Sequence, residues 1–385
     1  MGLADLRDLP YPWDTLDDLT ATARAHPGGL VDLSMGTPVD PTPAVVREAL
    51  AAASDAPGYP LTAGTPALRA SVAAWFARRR GVPGLSPDGV LPTIGSKELV
   101  GLLPSLLRLG PGDVVVHPEI AYPTYLAGIR AAGATALATD DVETWAGRDD
   151  VRLVWVNSPS NPTGRVLGVD ALRRVVEAAR AIGAVVVSDE CYAELAWESP
   201  WSEEGVPSIL DPRVCGGSHD GLLAAYSLSK QSNLAGYRAA FLAGDTALVA
   251  DLLATRKHLG LIVPAPVQAA MVAALDDDAH VAVQREAYGA RRRALAPALE
   301  HAGFVVDRSE AGLYLWVTIA TPPSDAPGGA DHPGAGRQAA AALARHGILT
   351  APGSLYGPAG AGHTRVALTA GDAAIRDAVS RITRP

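Results

Sequence analysis

Leu153-Val-Trp-Val156, the polar run Asn157-Ser-Pro-Ser-Asn161-Pro162-Thr163-Gly164, a helical pattern over Asp170–Ile182 and then Val185-Val-Val187 decide the fold class of this chain. Both apolar runs are continuous rather than alternating, the pattern of strands whose two faces are covered. An amphipathic helix between two such strands is a crossover, the connection that parallel strands need. The same pattern repeats outward. Strands are expected near Val90–Ile94, at Val114-Val-Val-His117, at Leu223–Tyr226 and at Ala239–Ala243. Thr65, a helix N-cap succeeded by Pro66 at the first helical position, opens a helix through Arg80. Further helices are expected at Ser96–Leu109, Tyr122–Ala132, 246–259, 265–276 and 279–302. The pattern predicts an α/β fold with a mostly parallel sheet sandwiched by helices.

Beyond residue 300, short strands near Phe304–Val306, Tyr314–Val317, Ile348–Ala351 and Arg365–Leu368 alternate with two helices, which predicts a smaller α+β C-terminal domain. Residues before 45 are rich in Pro and Asp and read as an irregular arm with one short helix that belongs with the small domain. The expected division is an arm of residues 1–45, a large domain of 46–300 and a small domain of 301–385. The Pro- and Gly-rich segment Thr321–Gly336 reads as a surface loop.

Composition excludes several function classes. The 385 residues carry a net charge of −9, which argues against nucleic acid or an anionic membrane as partner. Apolar residues make up 48% and charged ones 19%, enough apolar content to bury a core. No apolar run approaches the ~18 residues of a membrane span. The N-terminus lacks the apolar core of a signal peptide, and Leu6 stands where a myristoylation signal wants Ser or Thr. Cys191 and Cys215 have neither metal-site spacing nor the number for a disulfide framework, which fits a reduced, cytoplasmic protein. The nine histidines form no His-x-x-x-His or His-Glu-x-x-His spacing, so no metal site is expected.

Ligands of open parallel sheets bind beyond the carboxyl ends of the strands. At the ends of successive strands stand Gly95-Ser96-Lys97, Asn157 to Gly164, Ser188-Asp189-Glu190-Cys191-Tyr192, and Ser227-Leu-Ser229-Lys230. No Gly-x-Gly-x-x-Gly comes after the first strand, which removes support for a dinucleotide site. The basic residues are heavily skewed. Of 32, only Lys97, Lys230 and Lys257 are lysines. A lysine kept amid arginines is a candidate for chemistry that needs a primary amine.

Ser227-x-Ser229-Lys230, then Gly236 and Arg238, with Asp189-x-x-Tyr192 and Asn161-Pro162-Thr163-Gly164 upstream, resembles the class I/II aminotransferases, pyridoxal-phosphate enzymes of fold type I. The resemblance covers nearly the whole chain. It implies that Lys230 bonds the cofactor's aldehyde carbon and serves as the base of the proton shift, which both need a neutral amine. By the same resemblance Asp189 holds the proton on the cofactor's ring nitrogen, and Tyr192 and Asn161 hydrogen-bond its 3′-oxygen. The phosphate would be held by the backbone of Ser96 and Lys97 at a helix start, the hydroxyls of Ser227 and Ser229, and Arg238. The Lys97 side chain is open between a phosphate contact and a solvated helix start. Tyr122 matches the aromatic that stacks on the cofactor ring. Tyr59 matches a tyrosine that reaches the phosphate from a partner subunit, which implies a homodimer. Arg365 matches the arginine that binds the substrate's α-carboxylate, and Gly36 the arm glycine whose backbone approaches it.

Gly36-Thr-Pro-Val-Asp-Pro-Thr-Pro43, Gly58-Tyr-Pro-Leu-Thr-Ala-Gly64, Thr93-Ile-Gly-Ser-Lys-Glu98 and Ala351-Pro-Gly-Ser-Leu-Tyr-Gly357 are similar in texture to actinobacterial N-succinyldiaminopimelate aminotransferases of lysine biosynthesis, as is the arm Leu9-Pro-Tyr-Pro-Trp-Asp14. That implies glutamate as donor and N-succinyl-2-amino-6-oxopimelate as acceptor. Lys257 and His258 are candidates for the pocket that receives the distal group. The alternatives are an aminotransferase of another dicarboxylic or general amino acid, or a C–S lyase or decarboxylase on the same fold.

Overall fold

Seven strands build the central sheet: β1 (Val90–Ile94), β2 (Val114–His117), β3 (Thr135–Ala138), β4 (Val151–Asn157), β5 (Val185–Asp189), β6 (Leu222–Ser227) and β7 (Ala239–Gly244). Their spatial order is β1-β7-β6-β5-β4-β2-β3. The molecule is seen in a computed structural model that describes residues 6, 9, 12–319 and 334–384. Pro10 and Tyr11 of the arm, the Met1-Gly2 start, and most of the Thr321–Gly336 segment lie outside the described residues.

Period-two alternation divides the sheet's side chains between two cores. Val114, Val116, Val154, Val156, Val186, Ala224 and Tyr226 face one cluster, completed by helices Pro66–Arg79, Val169–Ile182 and Ala265–Asp276. Val115, Leu153, Trp155, Val187, Leu223 and Ala225 face the other, completed by Ser96–Leu106, Thr124–Ala132 and Thr246–Leu259. Double coverage is why β4, β5 and β6 read as unbroken apolar runs.

Two features of this sheet were not specified by the sequence. β3 has no counterpart among the expected strands: Thr-Ala-Leu-Ala on the sheet edge is half exposed and carries none of the branched apolar runs that mark a strand. β7 runs antiparallel to both neighbours, pairing Ala239 with Ile94 and Ala240 with Ser227. Strand direction leaves no trace in hydrophobic periodicity, yet it matters. Because β7 starts where the parallel strands end, Arg238 arrives at the same rim as Asn157, Asp189 and Ser227.

A second, antiparallel sheet contains β8 (Phe304–Asp307), β9 (Tyr314–Ile319), β10 (Ala351–Pro352) and β11 (Thr364–Ala367), in the order β10-β11-β9-β8. The single strand expected at Ile348–Ala351 is split at Thr350: Ile348–Leu349 pairs in parallel with Val31–Asp32 of the arm, and Ala351 joins β10. Leu33 N–H donates to Leu349 O, and Ala367 N–H to Leu33 O. These ladders lead residues 34–37 across the carboxyl edge of the large sheet.

Candidate active site

At that edge lies a cavity of about 280 Å³. Twelve of the residues singled out in the sequence line it: Gly36, Ser96, Lys97, Tyr122, Asn161, Asp189, Tyr192, Ser227, Ser229, Lys230, Arg238 and Arg365. Tyr59 does not. It is fully exposed on this chain, 100% accessible. Lys257 and His258, on helix Thr246–Leu259, are also exposed and do not line the cavity, so within one chain they form no part of it.

Lys230 lies on the short helix Leu228–Gln231 that succeeds β6, and its Nζ donates to Gly36 O of the arm. Burial holds its ammonium below the ordinary lysine value; Tyr314 and Cys191 oppose the shift and the Arg365 and Arg238 charges add to it. Ser227 Oγ caps that helix by accepting from Ser229 N–H at 3.2 Å and donates to Ser229 Oγ at 2.8 Å. The two hydroxyls are thereby fixed side by side.

Asp189 ends β5. Burial raises its carboxyl above the usual range, partly offset by hydrogen bonds from Cys191 and Tyr125. Tyr125 Oη donates to Oδ2 at 3.0 Å and Cys191 N–H to Oδ1 at 3.2 Å. The carboxylate therefore closes a local turn as well as facing the cavity. A cation set against it would reverse the cost of burial. Next to it, Glu190 makes a fully buried pair with Arg80, Nη2 to Oε2 3.0 Å, and its other oxygen accepts from Ser208 Oγ and Ile209 N–H. That network holds the Asp189–Tyr192 turn in place.

The helix Ser96–Leu106 aims its amino end at the cavity. Glu98 anchors it, accepting from Ile94 N–H at 3.1 Å and from both terminal nitrogens of Arg256 at 2.8 and 3.1 Å. Gly95 precedes it at φ 74°, and a Cβ there would fall 2.0 Å from Arg238 Nη2. The glycine leaves room for the guanidinium against the helix start, where backbone N–H groups favour an anion.

Arg365, 2% exposed, lies on β11. Its Nη1 donates to Asn161 Oδ1 at 3.0 Å and its Nη2 to Ser34 O at 2.6 Å, while Nε is buried without a partner. Among the described residues no carboxylate pairs with it; aromatic rings surround it instead, Tyr314 at 4.0 Å, Tyr356 at 5.0 Å and Trp13 at 5.5 Å. A buried guanidinium without a carboxylate partner is suited to a planar anion. The Asn161 side that it grips is fixed from behind, since Asn161 N–H donates to Asn157 Oδ1 at 2.7 Å.

Sequence reading put Asn157, Glu190 and Cys191 at the strand ends without giving them a role, and gave none to Tyr314, Trp13, Met35 and Thr37, which also line the cavity, or to Tyr125, which orients Asp189. Cys191 and Asn157 were within reach because they flank assigned positions. Tyr314, at the head of a run that reads as plain strand, carried no signal. Among the described residues there is no cluster of His, Cys, Asp or Glu able to hold a metal, and both cysteines are free and buried.

Residues 29–382 match the family model for aminotransferase class I and II. A probable aminotransferase of Mycobacterium tuberculosis is 59% identical over 97% of this chain and 85% of its own. The 4-dedimethylamino-4-oxo-anhydrotetracycline transaminase of Streptomyces rimosus is 53% identical over 98% of this chain and 100% of its own. Among solved structures, a probable N-succinyldiaminopimelate aminotransferase from Thermus thermophilus has a TM-score of 0.81 and 29% identity, covering 96% of this chain and 99% of that one.

Proposed function

This chain belongs to the class I and II aminotransferases, and on that premise we propose that it moves an amino group between glutamate and N-succinyl-2-amino-6-oxopimelate, forming 2-oxoglutarate and N-succinyl-LL-diaminopimelate. The observation that carries the amino-acid part of the reading is Arg365, buried without a carboxylate partner in the cavity that also holds the Lys230 amine. The N-succinyl part is supported by the motifs around Gly36, Gly58 and Gly95 and by likeness to the T. thermophilus protein of that printed name.

The family depends on pyridoxal 5′-phosphate, and the cavity fits it: an amine whose hold on its proton burial weakens, a buried carboxyl at a strand end, and a helix start cradled by Gly95 and Arg238. When bound, that cofactor supplies an electron sink that makes an amino acid's α-proton removable. In our reading Arg365 and Asn161 orient the α-carboxylate, with Gly36 closing over it. Lys230 Nζ would take the proton from the α-carbon and return it two atoms away, on the far side of the amino nitrogen. Asp189 would hold a proton on the cofactor's ring nitrogen, and Tyr192 and Asn161 would donate to its 3′-oxygen. Ser96, Lys97, Ser227, Ser229 and Arg238 would bind the phosphate, and Tyr122 would pack against the ring. Tyr59 completes a second subunit's site, so the working unit is a cytoplasmic homodimer. Its arm (1–45), large domain (46–300) and small domain (301–385) are part of the same proposal.

The S. rimosus relative, whose printed name places the amino group on a ring ketone, favours a second reading in which a polycyclic ketone is the acceptor. Steady-state assays separate the two. The first reading expects N-succinyl-LL-diaminopimelate to aminate 2-oxoglutarate with kcat/KM at least about a hundredfold above alanine or aspartate. Equal rates for all three would discard it.

A further inference from the structure

Tyr314 opens β9 and is 4% exposed. It meets three parts of the chain at once. Its ring lies 4.0 Å under the Arg365 guanidinium, and its hydroxyl is 3.2 Å from that of Tyr192. The two phenol rings meet edge to face at 5.8 Å. On its outer side a Cβ at Gly36 would fall 2.0 Å from Tyr314 Oη. Tyr314 is therefore the reason that the arm must carry glycine where its carbonyl accepts from Lys230 Nζ.

We propose that Tyr314 is a positioning residue with two separable tasks: its ring is the floor that keeps Arg365 flat and charged for a carboxylate, and its hydroxyl holds the Tyr192 phenol. The inference rests on the reading of Arg365 as the carboxylate binder. An acidic partner would fix the guanidinium equally well but would compete with the substrate for it. An aromatic face stabilises the cation without neutralising it. The hydroxyl task comes from the groups that face it. Burial raises the Tyr314 phenol, but the Arg365 and Lys230 charges and the hydrogen bond from Tyr192 outweigh it and leave the phenol below its ordinary value, with Cys191 opposing. The Tyr192 phenol is pushed up, by burial first and then by Tyr314. In the proposal Tyr192 is the donor and Tyr314 the acceptor across this 3.2 Å contact. Part of the Tyr192 donor strength goes to Tyr314 rather than to the cofactor's 3′-oxygen.

Tyr314→Phe and Tyr314→Leu in the holoenzyme separate the tasks. Glutarate, a dicarboxylate without a reacting amino group, is titrated by calorimetry, and the pH midpoint of the cofactor's visible absorbance is measured without ligand. Tyr314→Phe keeps the floor, so glutarate should bind within about threefold of the unaltered protein, whereas Tyr314→Leu should bind at least about tenfold more weakly. In Tyr314→Phe the freed Tyr192 donor should move the absorbance midpoint down by about half a pH unit or more. Equal weakening in both variants, no weakening in Tyr314→Leu, or a midpoint that stays or rises overturns the inference. Arg365→Gln, titrated alongside, judges the underlying reading: if it binds glutarate as tightly as the unaltered protein, Arg365 is not the carboxylate binder and the floor falls with it. The midpoint arm decides the hydroxyl task independently.

Discussion

Lys230 is set apart by where the fold puts its amine rather than by its chemistry alone. Burial at the end of β6, beside the Arg365 and Arg238 charges, lowers its affinity for a proton. The sign is clear: a base with a lowered pKa is neutral from a lower pH upward. The rate at which cofactor-stripped chain recaptures pyridoxal phosphate should therefore rise with a midpoint below 10.5, the ordinary lysine value. A midpoint at or above that value would contradict the burial argument. Asp189 is tuned through Tyr125, whose hydroxyl donates to it. A hydrogen bond to a charged group contributes about 1.5–3 kcal/mol, so Tyr125→Phe should weaken cofactor binding about tenfold or more. Unchanged affinity by equilibrium dialysis would dismiss the link. Lys230, Asp189 and Asn161 were legible because each comes after an apolar strand in a recognisable motif. Tyr125 was not, since its partner lies 64 positions away and the pairing appears only once β5 stands beside helix Thr124–Ala132.

At the scale of elements, the anion site proposed at the amino end of helix Ser96–Leu106 requires Gly95 to stay bare. Gly95→Ala adds a Cβ where Arg238 Nη2 now lies and places a side-chain residue at φ 74°. In this glycine-only region the backbone cost is about 1–3 kcal/mol. Displacing the guanidinium should also be felt at the site: cofactor affinity should fall at least about tenfold, with the unfolding free energy down by about 1–3 kcal/mol. Loss of stability without loss of affinity would refute the cradle. Continuous apolar strands and capped helices were legible in the sequence. The reversal of β7 was not, and without it Arg238 would sit at the opposite edge of the sheet. The split at Thr350 escaped as well, because the two halves of that apolar run find different partners: the arm, far away in the chain, and β11.

For the whole molecule, the exposure of Tyr59 bears on the proposed homodimer. Every other residue assigned to the cofactor or the α-carboxylate gathers in one cavity, while this phenol lies outside it, fully in solvent. Tyr59→Phe should weaken cofactor binding several-fold. In dimers mixed with Lys230→Ala chains, the weakening should appear at the intact Lys230 site only when the opposite subunit carries the substitution. Weakening at its own site instead would place the contact within one chain. The most direct test of the central claim is an absorbance spectrum of the yellow holoenzyme before and after glutamate, and of a fresh sample before and after N-succinyl-LL-diaminopimelate. The account predicts that both convert the cofactor stoichiometrically to its amine form, the succinyl compound at far lower concentration than other amino acids, and that Lys230→Ala does so with neither at a catalytic rate. A holoenzyme whose spectrum neither compound changes would contradict it.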